Sequence, residues 1–332
     1  MDNQDRRALK DRAMQRLAGA AYSPKKLILI HTGIILILSA LLTVADYFLE
    51  QQIGSTGGLG GIGLRSALET AQSVLRIAQT VLLPFWQIGY VFVTMRLARE
   101  EPLTPWDLCE GFRRFGPVLR LNVIKTVLLL AIGTASSYVA STIFFLTPFS
   151  APLMNALAPL MSDPAVMNDP AALQEAITAA TDDAMIPLLV IFLIVFLGIS
   201  IPVLYRYRMA SYFLLDNEDG KALAAMRSSR KLLRYLCFDL FKLDLNFWWF
   251  YLLDVLVSIL CYGDLILGWM GVSLPVHADV AYFLFLGLYL LGQLALYLWR
   301  KNEVEVTYAC AYDFLRDRHD PRPKPQKHPW AD

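Results

Sequence analysis

Charge is scarce in this sequence. Only 18% of its 332 residues are Asp, Glu, Lys or Arg, where a soluble domain usually carries about 25%. The charges that remain nearly cancel, at net +1, so no global field favours nucleic acid or another polyanion as a partner. Cysteine is scarce too: Cys109, Cys237, Cys261 and Cys310 stand singly, without metal-ligand spacing, which excludes a disulfide framework and points to four structural thiols. The four histidines, His31, His277, His319 and His328, are as scattered. There is no HExxH, no Walker loop, no GxSxG elbow and no GxGxxG. Tyr262-Gly263-Asp264 shares part of the GxGD of intramembrane aspartyl proteases, but lacks the first glycine and a partner Tyr-Asp. These absences point away from an enzyme and name no catalytic, cofactor or metal residue.

Apolar residues are abundant, at 56% of the chain with a mean hydropathy of +0.45. A helix crossing a ~30 Å hydrocarbon core needs roughly 20 mostly apolar residues. Six runs qualify: 27–48, 77–98, 121–146, 185–207, 243–262 and 279–299. Thr43-Val44-Ala45 has the small-residue look of a signal-peptidase site, but the long basic lead before the first run and the five runs after it predict an uncleaved helix. Basic residues then orient the chain, because cytoplasmic loops hold the Lys and Arg. With alternate connections assigned to opposite sides, 28 of the 30 basic residues fall on the side of the termini; the exceptions are Arg65 and Arg76. This predicts cytoplasmic N- and C-termini.

The cytoplasmic segments repeat one plan, a short amphipathic helix leading into a membrane hairpin. In TPWDLCEGFRRFGPVLRL, Thr104 suits the N-cap, Pro105 the first helical position and Asp107 the third, with Trp106, Cys109 and Phe112 along one face. In GKALAAMRSSRKLLRYL, Leu223, Met226, Leu233 and Leu236 follow helical spacing, while Arg227, Lys231 and Arg234 line another face. That face predicts contact with anionic lipid headgroups. RRALKDRAMQRLAGAAYSPKK before the first span is a third copy. On the other side, residues 54–63, GSTGGLGGIG, read as a flexible loop, and 151–184 as one or two short surface helices with a start at Asp169-Pro170. The expected architecture is an all-α polytopic membrane protein: six transmembrane helices in three hairpins within a single domain, 1–317. A proline-rich disordered tail, 318–332, follows.

Two cytoplasmic segments carry a resemblance. RLAREEPLTPWDLCEGFRRFGPVLRL (96–121) has an acidic-polar turn, an aromatic-Asp-Leu start and Gly-Phe-basic-basic-Phe-Gly; RMASYFLLDNEDGKALAAMRSSRKLLR (208–234) has an aromatic and aliphatic run ending in Asp-Asn, then a basic-Ser-basic helix. Both, with Trp248 or Trp249 and with Thr307-Tyr308-Ala309 and Tyr312, resemble the bacterial integral-membrane family called domain of unknown function 975. The resemblance implies a helical protein of the bacterial plasma membrane and carries over no catalytic residue. It is weakest in 147–184.

Polar residues inside the spans remain. In FKLDLNFWWFYLLDVLVSIL (241–260) a single carboxylate, Asp254, falls near mid-membrane, where an ionised Asp costs ~2.5 to 3.5 kcal/mol. Asp46 and Arg76 fall in the same outer half. An ion pair of Arg76 with Asp254 or Asp46 is the plain structural reading; a proton- or ligand-binding carboxylate is the functional one. Gly133, Ser137 and Ser141 form a small-residue face suited to close helix approach, and Gln293 and Asn246 are expected to hydrogen-bond between helices. Pro84 and Pro202 fit simple kinks. The sequence therefore predicts first a non-enzymatic membrane scaffold or accessory protein, whose partners are anionic lipid and another membrane protein. The alternative is a small-solute or proton-coupled transporter using Asp254 in an internal polar cavity.

Overall fold

A computed structural model describes residues 1, 3–55, 62–151, 153–155, 170–217, 220–263, 266–267 and 277–319, with backbone alone for 54–55, 62–63, 170–184, 278 and 319. Among these the regular structure is helical throughout, without a strand. In chain order the helices are α1 (Asn3–Ala18), α2 (Pro24–Ser55), α3 (Ile62–Ala98), α4 (Glu110–Arg113), α5 (Phe115–Leu146), α6 (Pro170–Tyr207), α7 (Ala210–Asp216), α8 (Ala222–Leu232), α9 (Cys237–Leu245), α10 (Trp248–Leu260), α11 (Ala278–Leu296) and α12 (Asn302–His319). A 3₁₀ turn, Pro105–Cys109, precedes α4, and a π turn, Tyr297–Lys301, joins α11 to α12.

Five helices are long and apolar enough to cross a membrane, and a sixth crossing exists if the bent pair α9 and α10 counts as one. The expected spans lie inside them, but the helices run further. α3 begins 15 residues before its expected span, and its 37 residues reach about 55 Å at the helical rise. α6 starts at Pro170, as the Asp169-Pro170 signal predicts, yet continues unbroken into the fourth span, so 170–184 is not a separate surface helix. Pro84 and Pro202 both lie within continuous helices. The larger departure is the fifth span: α9 and α10 meet at 75° across Asn246 and Phe247. Of the glycine-rich loop 54–63, residues 56–61 lie outside the described part, as do 156–169 and 320–332.

Contacts divide the chain into two compact units, 1–122 with 208–332, and 123–207. In the smaller unit, the Gly133 position of the α5 small-residue face makes no close approach among the described residues. A Cβ placed on Gly133 would meet nothing within 4 Å.

In the larger unit the close approaches lie elsewhere. A Cβ on Gly89 of α3 would sit 1.8 Å from the Leu108 carbonyl oxygen, and one on Gly111 of α4 would sit 2.0 Å from that of Phe85. Two glycines therefore let α3 and the α4 segment touch backbone to backbone. Phe112 and Phe115 stack on Phe85 at 5.3 and 4.8 Å between centroids, and Arg114 donates to the carbonyls of Leu214 and Leu215 near the end of α7. The Thr104 backbone N–H donates to Asp107 at 2.7 Å, the capping contact expected there. The GFRRFG stretch thus has a physical account: its glycine permits contact, its aromatics fill it, and its second arginine ties down a neighbouring helix.

α3 ends at a left-handed Glu100, φ 58°, whose neighbour Glu101 returns its N–H to the Arg96 carbonyl at 3.0 Å. This closure sets Arg99 between α7 and α12. There it bonds Asp313 and Asp216, while Arg316 and Tyr312 also reach Asp216. Burial works against the Arg99 charge, but Asp313 and Asp216 outweigh it and raise its pKa.

Candidate functional site

Asp254 lies in α10, two turns beyond the break in the fifth span. α10 has only 13 residues, about 20 Å of helix, and holds Asp254 at its seventh position. Gly292 lets α11 approach α10 closely, since a Cβ there would lie 2.9 Å from Val257 Cγ1. At that contact Gln293 Nε2 donates to Ser258 Oγ at 3.3 Å, the interhelical bond expected of Gln293. Ser258 gives its own proton to the Asp254 backbone carbonyl at 2.7 Å. Asn246, by contrast, is exposed and ends α9.

Asp254 does not meet Arg76. Arg76 instead places its guanidinium on Asp46, with bonds of 3.2 Å to each carboxylate oxygen, in an exposed pair between α2 and α3. The Asp254 carboxylate lies within electrostatic reach of Tyr297 and Lys301, and its Oδ1 is buried without a hydrogen-bond partner. Among the described residues no basic side chain lies within ion-pair distance of it. Of the three residues predicted to share the outer half of the membrane, the structure therefore joins Asp46 to Arg76 and gives Asp254 other neighbours.

Those neighbours form a stripe. Tyr289, Gln293, Tyr297, Lys301 and Glu305 recur every fourth residue through α11, the π turn and α12. On an ideal helix four such steps would drift about 160°, and the extra residue of a π turn returns about 100° of it. Lys301 stands with its ammonium 3.9 Å from the Tyr297 ring centroid, and Glu305 lies within electrostatic reach of Lys301 and Arg208. Arg208 pairs with Asp244 of α9 at 2.6 Å, and Tyr251 of α10 donates to Asp244 at 3.0 Å. From α2, fully buried His31 stacks on Tyr90 at 4.3 Å, with neither ring nitrogen partnered.

Sequence reasoning missed Tyr297, Lys301, Glu305 and His31 as parts of one site. The four-residue spacing along the last span was the available signal. It was obscured because Lys301 groups by position with the basic tail.

A cavity of about 190 Å³ opens one turn along α10 from Asp254. Ser39 and Thr43 of α2, Ser258 of α10, Tyr262 beyond it and Tyr289 of α11 bring hydroxyls to its wall. Tyr47 of α2 bonds Asp279 and stacks on Tyr282 at 4.6 Å, which fixes α2 against α11. Among the described residues no group of three His, Cys, Asp or Glu side chains is placed to hold a metal ion, and none of the four cysteines forms a disulfide.

The second predicted site lies on α8. Arg227, Lys231 and Arg234 are all exposed, while Ala222, Ala225, Met226, Ser229 and Leu232 are buried. Leu223, expected on the apolar face, is 58% exposed instead. Tyr235 and Phe238 are exposed beside the cations.

The fold defines a class first: an all-helical chain with five or six helices apolar and long enough to cross a membrane, as a multi-pass membrane protein has. A family assignment sharpens this. The chain belongs to the family described as protein of unknown function, DUF975, whose sequence model matches residues 1–312. No curated protein and no solved structure matches the chain.

Proposed function

We propose that the chain is a non-enzymatic, multi-pass protein of the bacterial plasma membrane that carries or conducts a small solute through its larger unit. One observation supports this above the rest. The fifth span is broken two helical turns before an intramembrane carboxylate that, among the described residues, has no basic side chain at ion-pair distance and lies within electrostatic reach of Tyr297 and Lys301 of the last span. Broken helices and clustered polar side chains at membrane depth are what solute pathways require, because irregular backbone is tolerated there only where protein or water satisfies it. An intramembrane carboxylate without a structural counter-ion is a functional group by default. The test is ion flux into proteoliposomes under a sodium or potassium gradient. Flux above that of protein-free vesicles, abolished by Asp254→Asn, supports the carrier; equal flux in both kinds of vesicle ends it.

The basic-residue distribution orients this protein with both termini in the cytoplasm. Six crossings then pair as three hairpins, each entered through a short helix: α1, the α4 segment and α8. A second reading, a scaffold or accessory protein that holds anionic lipid or another membrane protein, draws on α8. Arg227, Arg230 and Lys231 of α8, and Arg234 just beyond its end, are exposed beside exposed Tyr235 and Phe238, the pattern of a helix lying in a headgroup layer. Flotation with phosphatidylglycerol against phosphatidylcholine vesicles separates this reading from carriage.

A further inference from the structure

Ser258 lines the α2, α10 and α11 cavity, and Gln293 and Asp254 stand against Ser258 just outside that lining. Gln293 is 3% exposed and its Oε1 has no partner, although its amide already reaches Ser258 on the cavity wall. Ser258 has given its proton to the Asp254 carbonyl, so what remains on Oγ is acceptor capacity. Asp254 Oδ1 is buried and likewise unpartnered. Gln293 Oε1, Ser258 Oγ and Asp254 Oδ1 each have acceptor capacity left. A buried acceptor without a donor is costly, and a buried carboxylate more so.

We infer that this cavity is a binding site for a small monovalent cation, an alkali ion or a small primary ammonium. The hydroxyls of Ser39, Thr43, Ser258 and Tyr289 would offer oxygens, and Asp254, one turn along α10 from Ser258 and outside the cavity's lining, the counter-charge. A volume of about 190 Å³ suits a partly hydrated ion or a molecule of a few heavy atoms, at ~30 Å³ per water. An anion is disfavoured by the carboxylate. A divalent ion is disfavoured because such ions gather several carboxylates, and no acidic cluster exists among the described residues. Lys301 stands over the Tyr297 ring, within electrostatic reach of Asp254 but not at ion-pair distance from it, which leaves the carboxylate oxygens open to a ligand.

This inference rests on the carrier reading for its site and adds the charge of the ligand. Binding is therefore measured apart from flux. Protein purified in detergent is equilibrated with ²²Na⁺, ⁸⁶Rb⁺ or ¹⁴C-methylammonium, and competition among the three tells an alkali site from an ammonium site. Saturable binding of at least one probe is expected. Asp254→Asn should weaken it by about tenfold or more, and Asp254→Glu, which keeps the charge, by no more than about threefold. Ser258→Ala and Thr43→Ala should each weaken it as well, so the site is testable even if Asp254→Asn does not fold. The inference is overturned if folded wild-type protein binds none of the probes saturably, or if affinity is the same in folded Asp254→Asn or in both hydroxyl variants. Binding without flux would leave the site standing and remove the carrier reading alone.

Discussion

Arg99 holds Asp313 with two parallel hydrogen bonds, 3.0 Å from Nε and 2.7 Å from Nη2, while its remaining nitrogen reaches Asp216 at 2.9 Å. One guanidinium thus ties the end of α3 to α7 and α12. Bidentate pairing of this kind needs arginine rather than lysine. Arg99→Gln should lower stability by about 2 kcal/mol, below the range for fully buried pairs because Arg99 is partly exposed. Arg99→Lys should recover only part of the loss. Thermal unfolding in detergent, followed by size exclusion, measures both.

Gly89 and Gly111 make a second prediction. A methyl group at either would overlap a facing carbonyl oxygen, so backbone rather than a flexible side chain must move. Gly89→Ala and Gly111→Ala should each destabilise by roughly 1 to 3 kcal/mol. The control is Gly133→Ala, where nothing lies in reach; its unfolding midpoint should not fall.

Arg76 and Asp254 should separate cleanly in function. The Arg76–Asp46 pair is exposed, so Arg76→Gln should leave ion flux and unfolding unchanged. Asp254→Asn should abolish flux. Equal loss in both variants would mean that Arg76 serves Asp254 after all, against the geometry.

His31 tests whether a buried polar ring has a task. Both its nitrogens are unpartnered in a fully buried stack on Tyr90. Replacing an unsatisfied polar group by an apolar one of similar shape is nearly neutral or stabilising. His31→Phe should therefore match wild type in stability or exceed it by up to about 1 kcal/mol. Normal stability with lost flux would assign the imidazole to the polar pathway.

The α8 cations predict a salt-sensitive interaction. With each worth about 1 kcal/mol near an anionic surface, the triple change of Arg227, Lys231 and Arg234 to Gln should weaken vesicle binding by about a hundredfold. The difference should shrink towards nothing at 1 M salt, where the Debye length is about 3 Å. Binding that ignores both salt and the substitutions would remove α8 from the lipid surface.

The long crossings were legible because about 20 consecutive apolar residues have few alternatives to a membrane helix. The break at Asn246 and Phe247 was not. Neither proline nor glycine marks it. Asp254 was noticed because a lone acid stands out in an apolar run, and Asp46 was one of two partners open to Arg76. Tyr297, Lys301 and Glu305 escaped because their kinship depends on a π turn, and a fixed helical period does not register one surplus residue. The glycines at 89 and 111 were equally hidden, since close approach belongs to the neighbour as much as to the residue.

The surplus residue between Tyr297 and Lys301 also behaves like slack in a screw thread. If that slack travels along the helix, each residue it passes turns by about 100° about the axis while the chain stays helical on both sides. Lys301 and Glu305 would then swing relative to Asp254 without any crossing having to unwind. The last helix therefore contains, in its winding alone, the means to present a different side chain to the same carboxylate.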